Sequence, residues 1–81
     1  MMKSTGQSQN LRLGDLQLKI MKVLWRQQRA TVSEVHEQLA ADRLAYTTIA
    51  TMLRKMEQRG LVRHQELDRR FVYQPAVDED A

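Results

Sequence analysis

Cysteine is missing from this 81-residue sequence, which excludes a disulfide framework, a thiolate nucleophile and any cysteine metal site. A cytosolic address is the simplest inference. Histidine occurs only as His36 and His64, in different predicted elements and at no spacing that suggests a metal pair, so each reads as an ordinary surface or edge residue. The three glycines form no phosphate-cradling loop, and no nucleophile and base stand in a catalytic arrangement. Nothing supports an enzyme, and no cofactor is called for. No apolar run approaches membrane-spanning length, and the polar start, Met1 to Asn10, lacks the apolar stretch of a signal peptide. No internal repeat is visible. With 42 % apolar residues, the chain can form one domain with a small core.

What is present is positive charge, unevenly placed. The net charge is +3 and the pI about 9.7. Six Lys and Arg stand against Asp15 in residues 1–29, and seven against Glu57, Glu66 and Asp68 in residues 43–73. Residues 30–42 are acidic, through Glu34, Glu37 and Asp42, and so are the last four residues. The first and third predicted helices and the segment after them are therefore basic, as a polyanionic partner would require.

The stretch from Tyr46 to Gly60 is the most informative. At about 100° per residue, Ile49, Met52, Leu53 and Met56 form one stripe of a helix lying on a core. The opposite face carries Thr47, Ala50, Thr51, Arg54, Lys55 and Gln58, with Glu57 to the side. Such a face, small and polar first and then cationic, suits a DNA major groove, where hydroxyls and methyls meet base edges and Arg, Lys and Gln reach bases or phosphates.

Around it the chain divides into predicted elements. Residues 1–12 read as a flexible arm. The first helix runs from about Asp15 to Gln27, with Leu13, Leu16, Ile20, Val23 and Leu24 on one stripe and Leu18, Met21 and Trp25 on a second; a helix apolar on two sides is normally covered on both. Its polar strip, Lys19, Lys22 and Arg26, is either a solvated face or a line of phosphate contacts. Trp25 and the methionines read as core rather than as a ligand box. Thr31-Val32-Ser33-Glu34 is a capping box that opens a short helix, with Val32, Val35 and Leu39 on one face and an end at Ala40-Ala41-Asp42-Arg43. The third helix spans 46–59, with Gly60 as its left-handed cap.

From Leu61 the period changes. Leu61 to Glu66 and Arg70 to Gln74 read as strands flanking a Leu67-Asp68-Arg69 turn, and Pro75 stops the second strand. The fold class expected is mostly α with a small β-hairpin: a winged helix-turn-helix over residues 13–75, three helices followed by a two-stranded wing. Residues 76–81 read as an acidic tail or a truncated linker.

In that architecture Thr47, Ala50, Thr51 and Arg54 lie nearest the bases. Arg54 either pairs with guanine or holds a phosphate. Tyr46 either hydrogen-bonds a phosphate or plugs the inter-helix junction. Arg69 and Arg70 flank the turn, where a wing tip meets the backbone or minor groove, unless Asp68 and Glu66 claim them as a surface cluster.

Three separated motifs give a resemblance. Leu44-Ala45-Tyr46-Thr47-Thr48-Ile49-Ala50-Thr51-Met52-Leu53-Arg54-Lys55-Met56, running on to Gly60-Leu61-Val62, resembles the recognition-helix region of the penicillinase-repressor family. Leu16 to Trp25 and Ala30 to Val35 resemble that family's first helix and the start of its second, and Arg70-Phe71-Val72-Tyr73-Gln74-Pro75 its last wing strand. The resemblance implies a bacterial transcriptional repressor that binds palindromic operators as a dimer. It also implies control of β-lactam resistance or copper homeostasis, with proteolytic release in the β-lactam branch. The copper-sensing branch relies on C-terminal cysteines, which this chain lacks. Two departures stand out. The family's wing glycine is replaced by Leu67-Asp68-Arg69, and the helical dimerisation region that follows the wing in the family is not in this sequence. The expectation is a DNA-binding fragment of a longer protein, or a short member that dimerises differently, with Leu18, Met21 and Trp25 as a place for missing residues to dock.

Two rivals belong to other classes. A winged-helix protein-interaction module would expose apolar anchors on the outer face of the third helix, where Thr47, Ala50, Thr51, Arg54 and Lys55 supply none. An effector-binding regulator needs a pocket that three short helices and a hairpin have little volume to enclose.

Overall fold

Two apolar stripes on one helix demand cover on both sides, and the computed structural model, which describes residues 13–79, gives the first helix most of it. In α1 (Leu13–Gln27), Leu16, Ile20, Val23 and Leu24 are buried. Of the second stripe, Met21 is buried and Trp25 half-buried, its indole Nε1 donating to the Val77 carbonyl at 2.9 Å, while Leu18 stands exposed. The proposed arm, residues 1–12, the Leu13 side chain and the end of the tail lie outside what is described.

A two-residue strand, β1 (Ala30–Thr31), leads into α2 (Val32–Gln38). Thr31 caps that helix as its sequence predicts: its hydroxyl accepts from the Glu34 amide at 3.1 Å, and its own amide donates to the Glu34 carboxylate at 2.8 Å. These bonds satisfy two of the groups that a helix start leaves unpaired. Val35 is buried, with Val32 and Leu39 packed beside the core. The helix ends earlier than expected. A 3-10 turn (Ala40–Asp42) follows, closed by Arg43 at φ 55°.

The third helix, α3 (Tyr46–Gln58), buries Ile49, Met52, Leu53 and Met56, the stripe read from the sequence. Burying side chains of this size stabilises by about 1.5–3 kcal/mol each. Gly60, at φ 80°, reverses the chain: the Gly60 amide donates to the Glu57 carbonyl and the Leu61 amide to the Met56 carbonyl, both at 3.0 Å. This is a Schellman ending.

The wing follows as β2 (Val62–Leu67) and β3 (Arg70–Pro75), antiparallel, with Leu67 opposite Arg70 and Val62 opposite Pro75. Leu67 belongs to the strand rather than to the turn. The loop is Asp68-Arg69 alone, at φ 51° and 67°, the left-handed pair that a two-residue hairpin loop uses to match strand twist. A further difference is β1, which pairs with the other edge of β3, Ala30 opposite Tyr73 and Thr31 opposite Val72, to give a three-stranded sheet of order β1-β3-β2. Val62 and Tyr73 turn one face of that sheet into the core. The result is a winged helix whose wing is stitched to the start of α2.

Candidate nucleic-acid interface

Because α3 lies on the core by one stripe, its opposite face is forced outward. Thr47, Thr51, Arg54, Lys55 and Gln58 are exposed, and Ala50 is half-buried between them. Thr47, Thr48, Thr51, Met52 and Lys55 line a shallow open depression along the helix. No apolar anchor projects from this face. Among the described residues the carboxylate contacts of basic side chains are the Lys19–Asp42 ion pair and the His64–Glu57 contact, so no described carboxylate is bound to Arg54 or Lys55.

Arg69 and Arg70 are exposed and make no ion pair with Asp68 or Glu66. Arg69 and Arg70 share a concave surface with Ser33, Tyr46 and Phe71, so wing tip, α2 start and α3 start converge there. The Tyr46 ring meets the His36 ring edge-on at 5.9 Å, at the junction of α2 and α3, and the residue remains 48 % exposed. His36 is itself fixed, its Nε2 lying 2.8 Å from the Leu44 carbonyl.

Other candidates are placed elsewhere. Of the α1 strip, Lys19 holds Asp42 at 2.8 Å and Arg26 donates to Gln38 at 3.3 Å, so these side chains tie α1 to α2 and the 3-10 turn. Among the described residues Lys22 makes no such bond. Sequence reasoning passed over Ser33 and Phe71, which is half-exposed on the wing. The pairing of Thr31 with Val72 brings Ser33 beside the wing, and only the register of β1 could have shown it.

Behind the surface, α3 and the wing are joined by polar contacts. His64 on β2 has Nδ1 at 2.7 and 2.9 Å from the two carboxylate oxygens of Glu57, and its amide donates to the same group at 3.3 Å. Its ring lies 4.7 Å from Phe71 and 5.3 Å from Tyr73, centroid to centroid. Burial pushes the Tyr73 phenol above the ordinary tyrosine pKa; the Glu57 carboxylate adds to that rise and the Arg54 guanidinium opposes it. His64 is thus an exposed residue of the edge strand β2, as expected, and it sits in a bonded cluster there. Among the described residues no metal-ligating group is assembled, and no helix is long and apolar enough to cross a membrane.

Comparison with known proteins agrees with this architecture. Residues 13–81 match the family described as Penicillinase repressor. The transcriptional regulator BlaI of Mycobacterium tuberculosis is 44 % identical over 71 residues, 85 % of this chain and 51 % of that protein. The penicillinase repressor of Bacillus licheniformis is 34 % identical over 68 residues, 83 % of this chain and 53 % of its own length. This chain therefore spans about half the length of these curated relatives. The solution structure of the DNA-binding domain of the repressor BlaI superposes with a TM-score of 0.72 at 35 % identity, covering 80 % of each chain. Family match, relatives and fold agree: the chain belongs to the penicillinase repressor family.

Proposed function

We propose that this chain is the sequence-specific DNA-binding module of a bacterial transcriptional repressor, with α3 in the major groove and the wing, residues 61–75, on the backbone. The observation that carries the reading is the outer face of α3: exposed, free of apolar anchors, and bearing Arg54 and Lys55 with no carboxylate attached among the described residues. Thr47, Ala50 and Thr51 offer methyl groups to thymine and hydroxyls to base edges, and Arg54 and Gln58 reach bases or phosphates farther along the helix. Tyr46, Lys55, Arg69 and Arg70 serve the backbone, with the two wing arginines carried by the hairpin to the flank of the site. The matched solved domain is described as DNA-binding and the mycobacterial relative as a transcriptional regulator, and both descriptions support this reading.

Two further parts of the proposal concern the assembly. The operator is palindromic and is read by a homodimer in the full-length protein, acting in the cytoplasm, with residues 76–81 leading from the winged domain, 13–75, toward the dimerising part. Fluorescence-anisotropy titration against random duplex and a pool of palindromic duplexes, at several salt concentrations, tests the reading. Preferential, steeply salt-dependent binding is expected, and Arg54→Ala should lower it by about 1–3 kcal/mol on the preferred sequence if the guanidinium reads a guanine. A folded chain that binds no duplex at low salt would overturn the proposal.

A further inference from the structure

Arg54 and Glu57 are three residues apart on α3, close enough for a helix ion pair, yet they do not form one. A spacing of three residues puts the two side chains on one side of the helix, one turn apart. What occupies Glu57 instead is His64, whose Nδ1 lies within 2.9 Å of both carboxylate oxygens. His64 is held in turn by Phe71 and Tyr73 on β3, and it stands opposite Tyr73 in the sheet register. The other cations of α3 and the wing are less well placed to take Glu57. Lys55 is not at a facing helical spacing from it, and Arg63 lies one strand position from His64, on the other face of the sheet.

We propose that His64 is a positioning residue for DNA recognition: by holding the Glu57 carboxylate against the wing, it keeps the Arg54 guanidinium free for the nucleic acid. The inference rests on the proposed DNA-binding role, since only there does a free Arg54 matter. His64 itself touches no DNA. It also locks the wing to the C-terminal turn of α3, so the helix that reads and the hairpin that flanks are oriented by the same contact that keeps Arg54 available.

The test compares wild type, His64→Ala, His64→Asn and the double variant His64→Ala with Glu57→Gln. The first readout needs no DNA: the NMR signal and solvent exchange of the Arg54 Nε–H. In His64→Ala that proton should shift and exchange more slowly, as Glu57 turns to Arg54. In the double variant it should return to the wild-type position, because a neutral amide no longer draws the guanidinium. His64→Asn, whose side-chain amide can still donate to Glu57, should stay near wild type and guards against a His64→Ala chain that fails to fold. The second readout is affinity for the preferred duplex, expected to fall about twofold in His64→Ala, in keeping with the modest strength of one helix pair, and to recover in the double variant. An Arg54 signal unmoved by His64→Ala in a folded chain would overturn the inference even if DNA binding stands. So would a double variant that stays as weak as His64→Ala. If wild type binds no DNA, the Arg54 signal still reports whether His64 holds the pair apart, and the failure belongs to the DNA-binding reading alone.

Discussion

At the scale of single residues, Arg69 is where conformation and proposed function pull apart. An L-residue at φ 67° costs about 1–2 kcal/mol relative to the ordinary helical conformation, and glycine would hold this turn position without that cost. Asp68, at φ 51°, is a better tolerated left-handed residue because its short polar side chain can bond locally. An arginine kept at a position suited to glycine gains something other than stability, and a phosphate contact at the wing tip is the physical candidate. Arg69→Gly should therefore raise unfolding free energy by about 0.5–1 kcal/mol, read from urea denaturation. The same substitution should weaken binding to all duplexes alike and reduce the salt slope by about one. A variant that is more stable and binds equally well would remove Arg69 from the interface.

At the scale of elements, Thr31 does two jobs. It caps α2 through its side chain, and it is the strand residue opposite Val72 that fastens the wing. Thr31→Ala removes the hydroxyl acceptor and leaves the Glu34 amide without its partner, at a cost of about 0.5–2 kcal/mol. Urea denaturation followed by circular dichroism measures it, and a cost under about 0.3 kcal/mol would show that the cap is dispensable. The capping box, the apolar stripe of α3 and the Gly60 reversal were all legible in the sequence because each is a local pattern with a fixed spacing. The tight Asp68-Arg69 loop was not, since neither residue carries the glycine signal that marks such turns. Strand β1 was hidden for another reason: two residues show no period, and their partner lies more than forty positions along the chain. With β1 went the meeting of Ser33, Tyr46 and the wing tip in one surface. The outward face of α3 could be read from its helical spacing. That Lys19 and Arg26 bond across to Asp42 and Gln38 could not, because those contacts depend on how helices pack.

At the scale of the whole molecule, the reading becomes a count of charges and half-sites. Arg54, Lys55, Arg69 and Arg70 are four cations that make no ion pair among the described residues and are grouped on α3 and the wing. If all four displace counterions from duplex DNA, log K should fall with log salt at a slope of about −3 to −4 for one copy on one half-site. A single copy has no covalent link between two binding events, so on a palindrome two copies should bind without mutual help unless they touch. Joining two copies through a flexible linker makes the second event intramolecular, and affinity for a two-half-site duplex should rise by about 10²–10⁴-fold. The gain should appear only when the half-sites are spaced so that both α3 helices meet the major groove on one side of the duplex, roughly one helical turn or a multiple of it apart. On a duplex with one half-site the joined copies should gain no more than their doubled number of domains supplies. Anisotropy titration across a series of spacings measures all of this. A joined pair that gains nothing at any spacing, while the single copy still prefers one sequence, would leave the chain as a DNA reader and sink the palindromic, paired arrangement proposed for the operator.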